Sequence, residues 1–496
     1  MIWRCEKNSV LGSTILIIIF KLLFLLTKHV QEDAFITWRV AQNIIDYGVY
    51  GFNGLEKISS STTHLYVLVS VIFKLLFSDN FMYILLIFNS ILFTVGTKKL
   101  ADLLLSSDKS KILFIIFVNL LPPALKISIL GMEFGLLFLL YVLFLDLAMV
   151  KRKKWAFLLF PVLIAWTRLD AGLFLAVTFL YDLIKYRKLN YPFILAGVLS
   201  IATLAGFNYF YFGEIVNHTI TAKKTAYGSP DSFFDRILEM INYTNYYSVL
   251  KIPLGILRIN TFFILTTLFS IYAFYKIKNW ITKSQFFILS VIYTYAWVRI
   301  LTFGLANSWF DWYYWIPQIF MFIPTILFFI ISPSRVKVTV YVILFFIPLL
   351  LYQTIHSIAT GHGEWYYNRK VGLYIDSIEP DKSKTIYLEP AGYIPYFSKL
   401  KAIDYVGLVD KRVTEEFKKG KNNVHESNLN ALKPDYVLED SKPMFGGSVD
   451  SVISGNYKLI KEFHILDVAK SDNYLLDKIY KLKPSGRDHY LYKRIK

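Results

Sequence analysis

Apolar stretches long enough to cross a lipid bilayer recur along the first 355 residues of this 496-residue chain. They consist mainly of Leu, Ile, Phe and Val, and a helix of about 20 such residues spans the hydrocarbon core. Hydrophobic residues make up 55% of the whole sequence, which is more than a soluble chain of this length normally carries. The sequence therefore predicts a polytopic α-helical membrane protein.

Basic clusters between these stretches predict the orientation, because Lys and Arg collect in cytoplasmic loops. All such clusters, for example KRKK at 151–154, fall on the same side of the membrane if about eleven spans are assigned. The predicted spans are 10–27, 81–97, 111–129, 131–150, 155–167, 171–184, 191–212, 259–275, 284–303, 314–332 and 338–355. The N-terminus is then cytoplasmic and the C-terminus outside, and the short apolar segment 64–77 is predicted to be re-entrant or interfacial.

The formal net charge of +18 is explained by the same clusters, so the expected partners are membrane lipids and no nucleic acid is expected. A single cysteine, Cys5, excludes an intramolecular disulfide. From residue 356 the apolar residues thin out, and short β-type runs at 384–389, 401–406, 435–440 and 489–495 alternate with helix-like segments. Two domains are predicted: a membrane module at 1–355, which includes a first outer loop at 28–80, and an extracytoplasmic α/β domain at 356–496.

Two adjacent carboxylates, Glu32 and Asp33, follow the first predicted span in the stretch QEDAFITWRV. The segment has the apolar periodicity of an amphipathic helix lying in the membrane interface. Acidic residues in a first helical turn interact favourably with the helix dipole. The two carboxylates could therefore serve only to stabilise the helix. A partly desolvated carboxylate can also act as a general base toward a hydroxyl group. Both interpretations stay open.

Three further ionisable residues lie at membrane depth: Glu133 in GMEFGLL, and Arg168 and Asp170 in TRLDAG. Charged side chains at this depth usually pair with one another or line a polar pathway. They could form a salt bridge that only fixes helix packing, whereas a guanidinium group also suits a phosphate.

Two outer segments carry more candidates. Lys223 and Lys224 lie in an outer loop, against the preference of lysine for the cytoplasmic side, which predicts contact with an anionic ligand or with anionic lipid. The same loop holds a glycosylation sequon at Asn217–Thr219. The aromatic segment NSWFDWYYWIP at 307–317 is typical of the membrane interface, and stacking on a sugar is the alternative.

Taken together and in order, these stretches resemble the GT-C membrane glycosyltransferases, in particular the branch that includes mycobacterial arabinofuranosyltransferases. The segment EDAFITWRVAQNIIDYGVYGFNGLEKISSSTTHLYVLV is similar to the first outer loop of that family. GMEFGLL, TRLDAG, YFGEIVNHTITAK and WFDWYYWIP are similar to its later motifs, and LEPAGYIPYFSKLKAIDYVGLVD and LKPDYVLED to its outer domain. A GT-C fold is therefore expected.

The resemblance implies inverting transfer of a sugar from a polyprenyl-phosphate donor to a glycan or glycolipid acceptor, on the outer face of a bacterial inner membrane. Asp33 would be the general base, assisted by Glu32. The residues expected to bind the donor phosphate are Arg168, Lys223, Lys224 and Arg39. Those expected to line the substrate cavity are Glu133, Asp170, His64, Asn217, Trp312, Tyr313, Tyr314 and Glu389. No metal ligands are assigned, and a divalent cation bound by Glu32 and Asp33 is left open.

Two other functions fit the same composition. A flippase or transporter of lipid-linked oligosaccharides would line a path across the membrane with its charged residues. A glycan ligase would act on a longer lipid-linked chain. The transferase is favoured because the candidate residues collect on one side and no internal repeat is present.

Overall fold

The computed structural model describes residues 2–227, 232, 261–305, 310–332, 347–420, 423–440, 447–471, 473–482 and 484–495. The helices up to residue 227 are α1 (Ile2–Leu23), α2 (Glu32–Tyr47), α3 (His64–Phe77), α4 (Phe81–Leu104), α5 (Asp108–Asn119), α6 (Pro122–Ile129), α7 (Phe134–Phe144), α8 (Lys154–Thr167), α9 (Gly172–Tyr186), α10 (Tyr191–Phe212) and α11 (His218–Tyr227). They are followed by α12 (Thr261–Ile277), α13 (Lys283–Leu305), α14 (Trp315–Ile331) and α15 (Ile347–Gly363).

Each span predicted up to residue 332 coincides with one of these helices or with a pair of them, while most of 338–355 lies outside the described residues. By length and apolar composition, four of the described helical stretches could cross a membrane, or five if α5 and α6, which are bent by 73°, form one span. The predicted number of eleven is therefore not confirmed within the described ranges. One reason is length, because α8 has 14 residues, about 21 Å of helix against a hydrocarbon core of about 30 Å.

The segment 64–77, predicted to be re-entrant or interfacial, forms α3. This helix packs against both α2 and α4, and the chain turns between α3 and α4 at Ser78, which has a φ of 45°. The apolar stretch His64–Leu104 has 41 residues in all, about twice the length of one span. The turn at Ser78 thus lets α3 lie beside the helix that carries Asp33.

A buried lysine ties the first helix to its neighbours. The side chain of Lys21 is fully buried in α1 and donates to Ser128 Oγ at 2.8 Å and to Thr94 Oγ1 at 3.2 Å. Its third partner is the side-chain carbonyl oxygen of Asn119. Three acceptors for three ammonium N–H groups satisfy the hydrogen-bonding needs of this charge, which links α1 to α4, α5 and α6.

The C-terminal part is an α/β domain, which we call the outer domain after its predicted side of the membrane. Its strands are β1 (Thr385–Leu388), β2 (Lys401–Asp404), β3 (Tyr436–Glu439), β4 (Tyr457–Phe463) and β5 (His489–Arg494), in the sheet order β2-β1-β3-β5-β4. β1 runs parallel to β2 and β3, and β5 is antiparallel to β3 and β4. Its helices are α16 (Arg369–Ile378), α17 (Tyr393–Ser398), α18 (Lys411–Lys418), α19 (Val424–Leu432), α20 (Gly447–Asn456), α21 (Ile465–Val468) and α22 (Tyr474–Leu482).

The two predicted domains are joined by helix rather than by a linker. α15 runs across the predicted boundary at 355–356 and continues through a π-helical turn at Glu364–Asn368 into α16. The segment 28–80, named the first outer loop after its predicted location, also binds the sheet. Asn53 Nδ2 donates to Ala402 O at 2.8 Å, and Asn53 Oδ1 accepts from Ala402 N–H at 2.9 Å. This amide pairs with β2 as a neighbouring strand would and holds the loop on the outer domain.

Candidate active site

Asp33 lies in the first turn of α2, a short distance along the chain after the end of α1 at Leu23. The helix begins after Gln31, whose backbone N–H donates to Leu130 O at 2.9 Å. Phe35 and Trp38 are fully buried and fix the helix against its surroundings. The positive end of the helix dipole lies at this turn and stabilises a carboxylate there.

The Asp33 side chain lines a narrow pocket at which several segments meet. The other charged lining residues are Glu133, Arg168 and Lys223. Hydroxyl and aromatic side chains make up most of the remaining lining, namely Thr37, Ser60, Ser61, Thr62, Thr63, Thr219, Trp312 and Tyr313. The cavity volume is about 50 Å³, which is room for a few water molecules.

Opposing effects act on the pKa of the Asp33 carboxyl group in this pocket. Burial raises its pKa above the ordinary value of an aspartate, and the positive charges of Lys223 and Arg168 act in the lowering direction. A carboxylate with a raised pKa is a stronger base than a solvated one once it has lost its proton. The pocket thus combines a basic carboxylate with positive charge.

Arg168 is the centre of a buried charge cluster. It donates to Asp170 from Nε at 2.8 Å and from one terminal nitrogen at 2.9 Å, and to Glu133 from the other. Asp170 is also bound by Arg299, a residue of α13 that the sequence analysis missed. Three of the five guanidinium N–H groups of Arg168 are used in this way, and the other two have no partner among the residues that the structure describes. The signal for Arg299 was present in the sequence as an arginine within an apolar stretch.

The two adjacent lysines of α11 differ in their surroundings. Lys223 lines the pocket, and its ammonium group lies 4.2 Å from the centroid of the Phe310 ring. Within the described part of the chain, Lys223 has no carboxylate at ion-pair distance. Lys224 is exposed and does not line the pocket. Of the pair, Lys223 is therefore the cation that a ligand in the pocket can reach.

Glu32 does not line the pocket, although it is the neighbour of Asp33. Its Oε1 atom accepts hydrogen bonds from the backbone N–H groups of Gly392 at 2.7 Å and Tyr393 at 2.8 Å. A Cβ atom on Gly392 would lie 2.2 Å from the backbone oxygen of Glu32, so only glycine permits this approach. In this structure Glu32 holds α17 of the outer domain against α2, and the predicted role in catalysis stays a prediction.

The stability of this contact should depend on pH. Burial raises the pKa of Glu32 from 4.5 to about 8. Between these values the folded protein holds a proton that the unfolded chain has lost, so the contribution of Glu32 to stability is complete at low pH and is lost as pH rises through about 8. We expect the wild type to lose stability relative to Glu32→Gln between about pH 5 and pH 8, measured by urea unfolding of the outer domain. Parallel pH profiles for the two proteins would contradict this.

Arg39 and His64 are not brought to the pocket either. The Arg39 guanidinium donates to the backbone oxygens of Phe52 at 3.0 Å, of Leu400 at 2.6 Å and of Pro395. The His64 Nδ1 atom lies 2.9 Å from the Tyr50 hydroxyl oxygen, in an aromatic cluster. Both side chains therefore join the first outer loop to its surroundings. Binding of the donor phosphate by Arg39 and lining of the substrate cavity by His64 stay predictions.

The remaining predicted residues do not line the pocket. Asn217 is buried and donates to Ser61 O at 2.9 Å, so the sequon joins α11 to the first outer loop. Tyr314 is fully buried. Glu389 directly follows β1, and its pKa is raised by burial and by the carboxylates around it. Among the residues that the structure describes, no group of three or more His, Cys, Asp or Glu is arranged to hold a metal ion.

The fold and one segment of the chain match known proteins. Residues 356–489 match the family model described as a domain of unknown function, DUF8728. No curated protein matches the chain. Among solved structures, the chain is similar to the crystal structure of ArnT from Cupriavidus metallidurans bound to undecaprenyl phosphate. The similarity covers 98% of this chain and 98% of the ArnT chain, with 10% sequence identity and a TM-score of 0.55.

The chain has a GT-C fold. ArnT is a GT-C protein, and the likeness extends over both the helical part and the outer domain because it covers almost the whole of each chain. The GT-C fold predicted from the sequence is therefore confirmed. An identity of 10% shows the fold alone, and the nearer resemblance to the arabinofuranosyltransferase branch stays a prediction.

Proposed function

We propose that this protein is an inverting glycosyltransferase that moves a sugar from a polyprenyl-phosphate donor to a hydroxyl group of a glycan or glycolipid acceptor. The observation that carries the proposal is the composition of the pocket, in which the Asp33 carboxylate, the Lys223 ammonium group and the Arg168 guanidinium group line one cavity. A base for the nucleophile and cations for the leaving group are the two requirements of this transfer. The likeness of the fold to ArnT, whose crystal structure holds undecaprenyl phosphate, supports a lipid-phosphate donor.

The proposed step is a single displacement at the anomeric carbon. The acceptor oxygen attacks that carbon on the face opposite the phosphate while Asp33 takes the hydroxyl proton. The bond between the anomeric carbon and the phosphate oxygen breaks, and the bonding electrons leave with polyprenyl phosphate. Lys223 and the free N–H groups of Arg168 stabilise the charge that develops on the phosphate. Attack from the opposite face inverts the anomeric configuration.

In this proposal the ion pairs around Arg168 fix its guanidinium group in place before the donor binds. Glu133 and Asp170 hold the guanidinium group in one orientation, and Arg299 holds Asp170 in turn. A cation that is fixed before the donor binds loses little conformational freedom when it meets the phosphate. Glu133, Asp170 and Arg299 are then positioning residues.

The proposal includes the location of the reaction. A polyprenyl chain lies among membrane lipids, so its phosphate must be met near the surface of the bilayer. We extend the orientation predicted from the basic clusters to a bacterial inner membrane with a cytoplasmic N-terminus and a periplasmic α/β domain. The donor would then be used on the periplasmic side.

Replacing Lys223 by alanine tests the phosphate contact. We expect kcat/KM for the donor to fall about 10- to 100-fold, because one charge-assisted contact to the leaving group is lost. The same change removes a charge that lowers the pKa of Asp33, so the acidic limb of the pH–rate profile should move to higher pH. Lys224→Ala removes an equal charge from the neighbouring, exposed position and serves as the matched control. Equal effects of the two substitutions would contradict the assignment of Lys223.

A further inference from the structure

A second and larger cavity lies against the C-terminal half of α2. Its volume is about 570 Å³, against about 50 Å³ for the pocket at Asp33, and no lining residue is common to the two. Its walls come from α2, from the first outer loop and from the outer domain, all within the described residues. Volumes of this size are typical of sites for small organic ligands.

The lining of this cavity is polar and has an excess of positive charge. It contains four cationic side chains, Arg39, Lys382, Lys399 and Lys401, and two carboxylates, Asp46 and Glu56. The Arg39 guanidinium group already donates to backbone oxygens, and Lys382 lies 2.8 Å from a carboxylate oxygen of Asp376. The other two lysines are held loosely. Lys399 lies 3.6 Å from Asp376, and Lys401 lies 3.7 Å from Glu56. Exposed ion pairs at such distances contribute little, so both ammonium groups can turn to an anionic ligand at small cost.

Two tyrosines give the cavity an apolar component as well. Tyr47 and Tyr396 line it, and the Tyr47 side chain is 54% exposed. Gln42 and Asp46 add hydrogen-bonding groups from the same helix. Aromatic surface together with amide, carboxylate and ammonium groups suits a ligand that has apolar ring faces, many hydroxyl groups and negative charge. A bare inorganic anion would use only the lysines.

We propose that this cavity binds an acidic saccharide, that is, a sugar chain carrying carboxylate or phosphate groups. The inference rests on the proposed function, in which the acceptor is a glycan. Asp33 and Gln42 are nine positions apart on α2, about 14 Å along the helix axis. An oligosaccharide bound beside Gln42 would have to extend over about this distance to reach the pocket at Asp33. The cavity would hold a part of the acceptor that does not react.

Binding can be measured without any sugar transfer. Full-length protein in detergent is titrated calorimetrically with trigalacturonate, with neutral maltotriose and with inorganic phosphate. The test variant is Lys399→Gln/Lys401→Gln. The control variant is Lys418→Gln/Lys458→Gln, which removes the same charge from two exposed positions of the outer domain that do not line the cavity.

The proposal predicts that trigalacturonate binds more tightly than maltotriose or phosphate. Its Kd should rise at least tenfold in the test variant and stay unchanged in the control variant. Tyr47→Ala should weaken trigalacturonate binding while leaving phosphate binding as it is. Phosphate binding as tight as that of trigalacturonate would reduce the cavity to a general anion site and overturn the proposal, as would equal affinities of the two double variants. Because no donor is present, failure here leaves the proposed transfer reaction untouched, and failure of transfer leaves this binding result standing.

Discussion

Replacing Asp33 by asparagine should lower the rate of sugar transfer by about 10² to 10⁴, the range in which general-base catalysis contributes. Asparagine has nearly the same shape but cannot accept the proton of the acceptor hydroxyl group. The side chain lies at the edge of a pocket in the first turn of α2, so the fold should tolerate the exchange. The measurement is single-turnover transfer by purified protein, compared at equal amounts of folded enzyme.

The neighbouring carboxylate provides the control for this prediction. Glu32→Gln keeps an oxygen that can accept from the N–H groups of Gly392 and Tyr393, and we expect it to retain most of the transfer rate. A protein in which Asp33→Asn is fully active, or in which Glu32→Gln loses as much activity as Asp33→Asn, would contradict the assignment of Asp33 as the base.

Replacing Arg39 by alanine should destabilise the outer domain by about 3 kcal/mol, because three charge-assisted hydrogen bonds are lost and buried volume is left empty. The guanidinium group joins Phe52 of the first outer loop to Pro395 and Leu400 of the outer domain. The change should appear as a lower urea midpoint for proteolysis of the outer domain and as faster hydrogen exchange in β2.

Two further variants make this prediction specific. Arg39→Lys should not restore stability, since an ammonium group cannot reproduce the planar set of donors that reaches three separate oxygens. Arg412→Ala should cost about 1 kcal/mol, because its side chain is half exposed and its buried partner Asp410 still accepts from the backbone N–H of residue 412. Equal stability of the Arg39→Ala and Arg412→Ala proteins would show that the Arg39 contacts do not hold the domain.

Elements with a strong local pattern could be predicted from the sequence. The apolar stretches up to residue 332 form helices, and α2 forms where its amphipathic period predicts it. The predicted strand runs at 384–389, 401–406, 435–440 and 489–495 coincide with β1, β2, β3 and β5. β4 was missed because Lys458, Lys461 and Glu462 interrupt its apolar residues. Such charges suit a strand at the edge of a sheet, and the edge position of β4 is known only from the assembled sheet.

The candidate site could be predicted only in part. Asp33, Glu133, Arg168, Lys223, Trp312 and Tyr313 were named from the sequence and line one pocket. Glu32 was grouped with Asp33 because the two are adjacent, yet consecutive residues on a helix point about 100° apart. One therefore enters the pocket while the other meets α17. Sequence order alone does not distinguish these directions until the neighbours of the helix are known.

Long-range partners account for the other differences. His64 and Arg39 are polar residues near the membrane, and the sequence gives no sign that Tyr50 and three backbone oxygens satisfy them. Asp170 was expected to bind Arg168, and it does, but its second partner Arg299 lies 129 positions away. Contacts at such separations depend on how the helices pack, which composition and periodicity do not determine.

The central claim, that a polyprenyl-phosphate sugar is the donor, is tested most directly by product release. Purified protein in nanodiscs is given a panel of synthetic polyprenyl-phosphate sugars, and free polyprenyl phosphate is followed by mass spectrometry. We expect release from at least one donor by the wild type, and its loss in Asp33→Asn. No release from any donor by folded protein, together with movement of a lipid-linked glycan across the bilayer of reconstituted vesicles, would contradict the claim and favour a flippase.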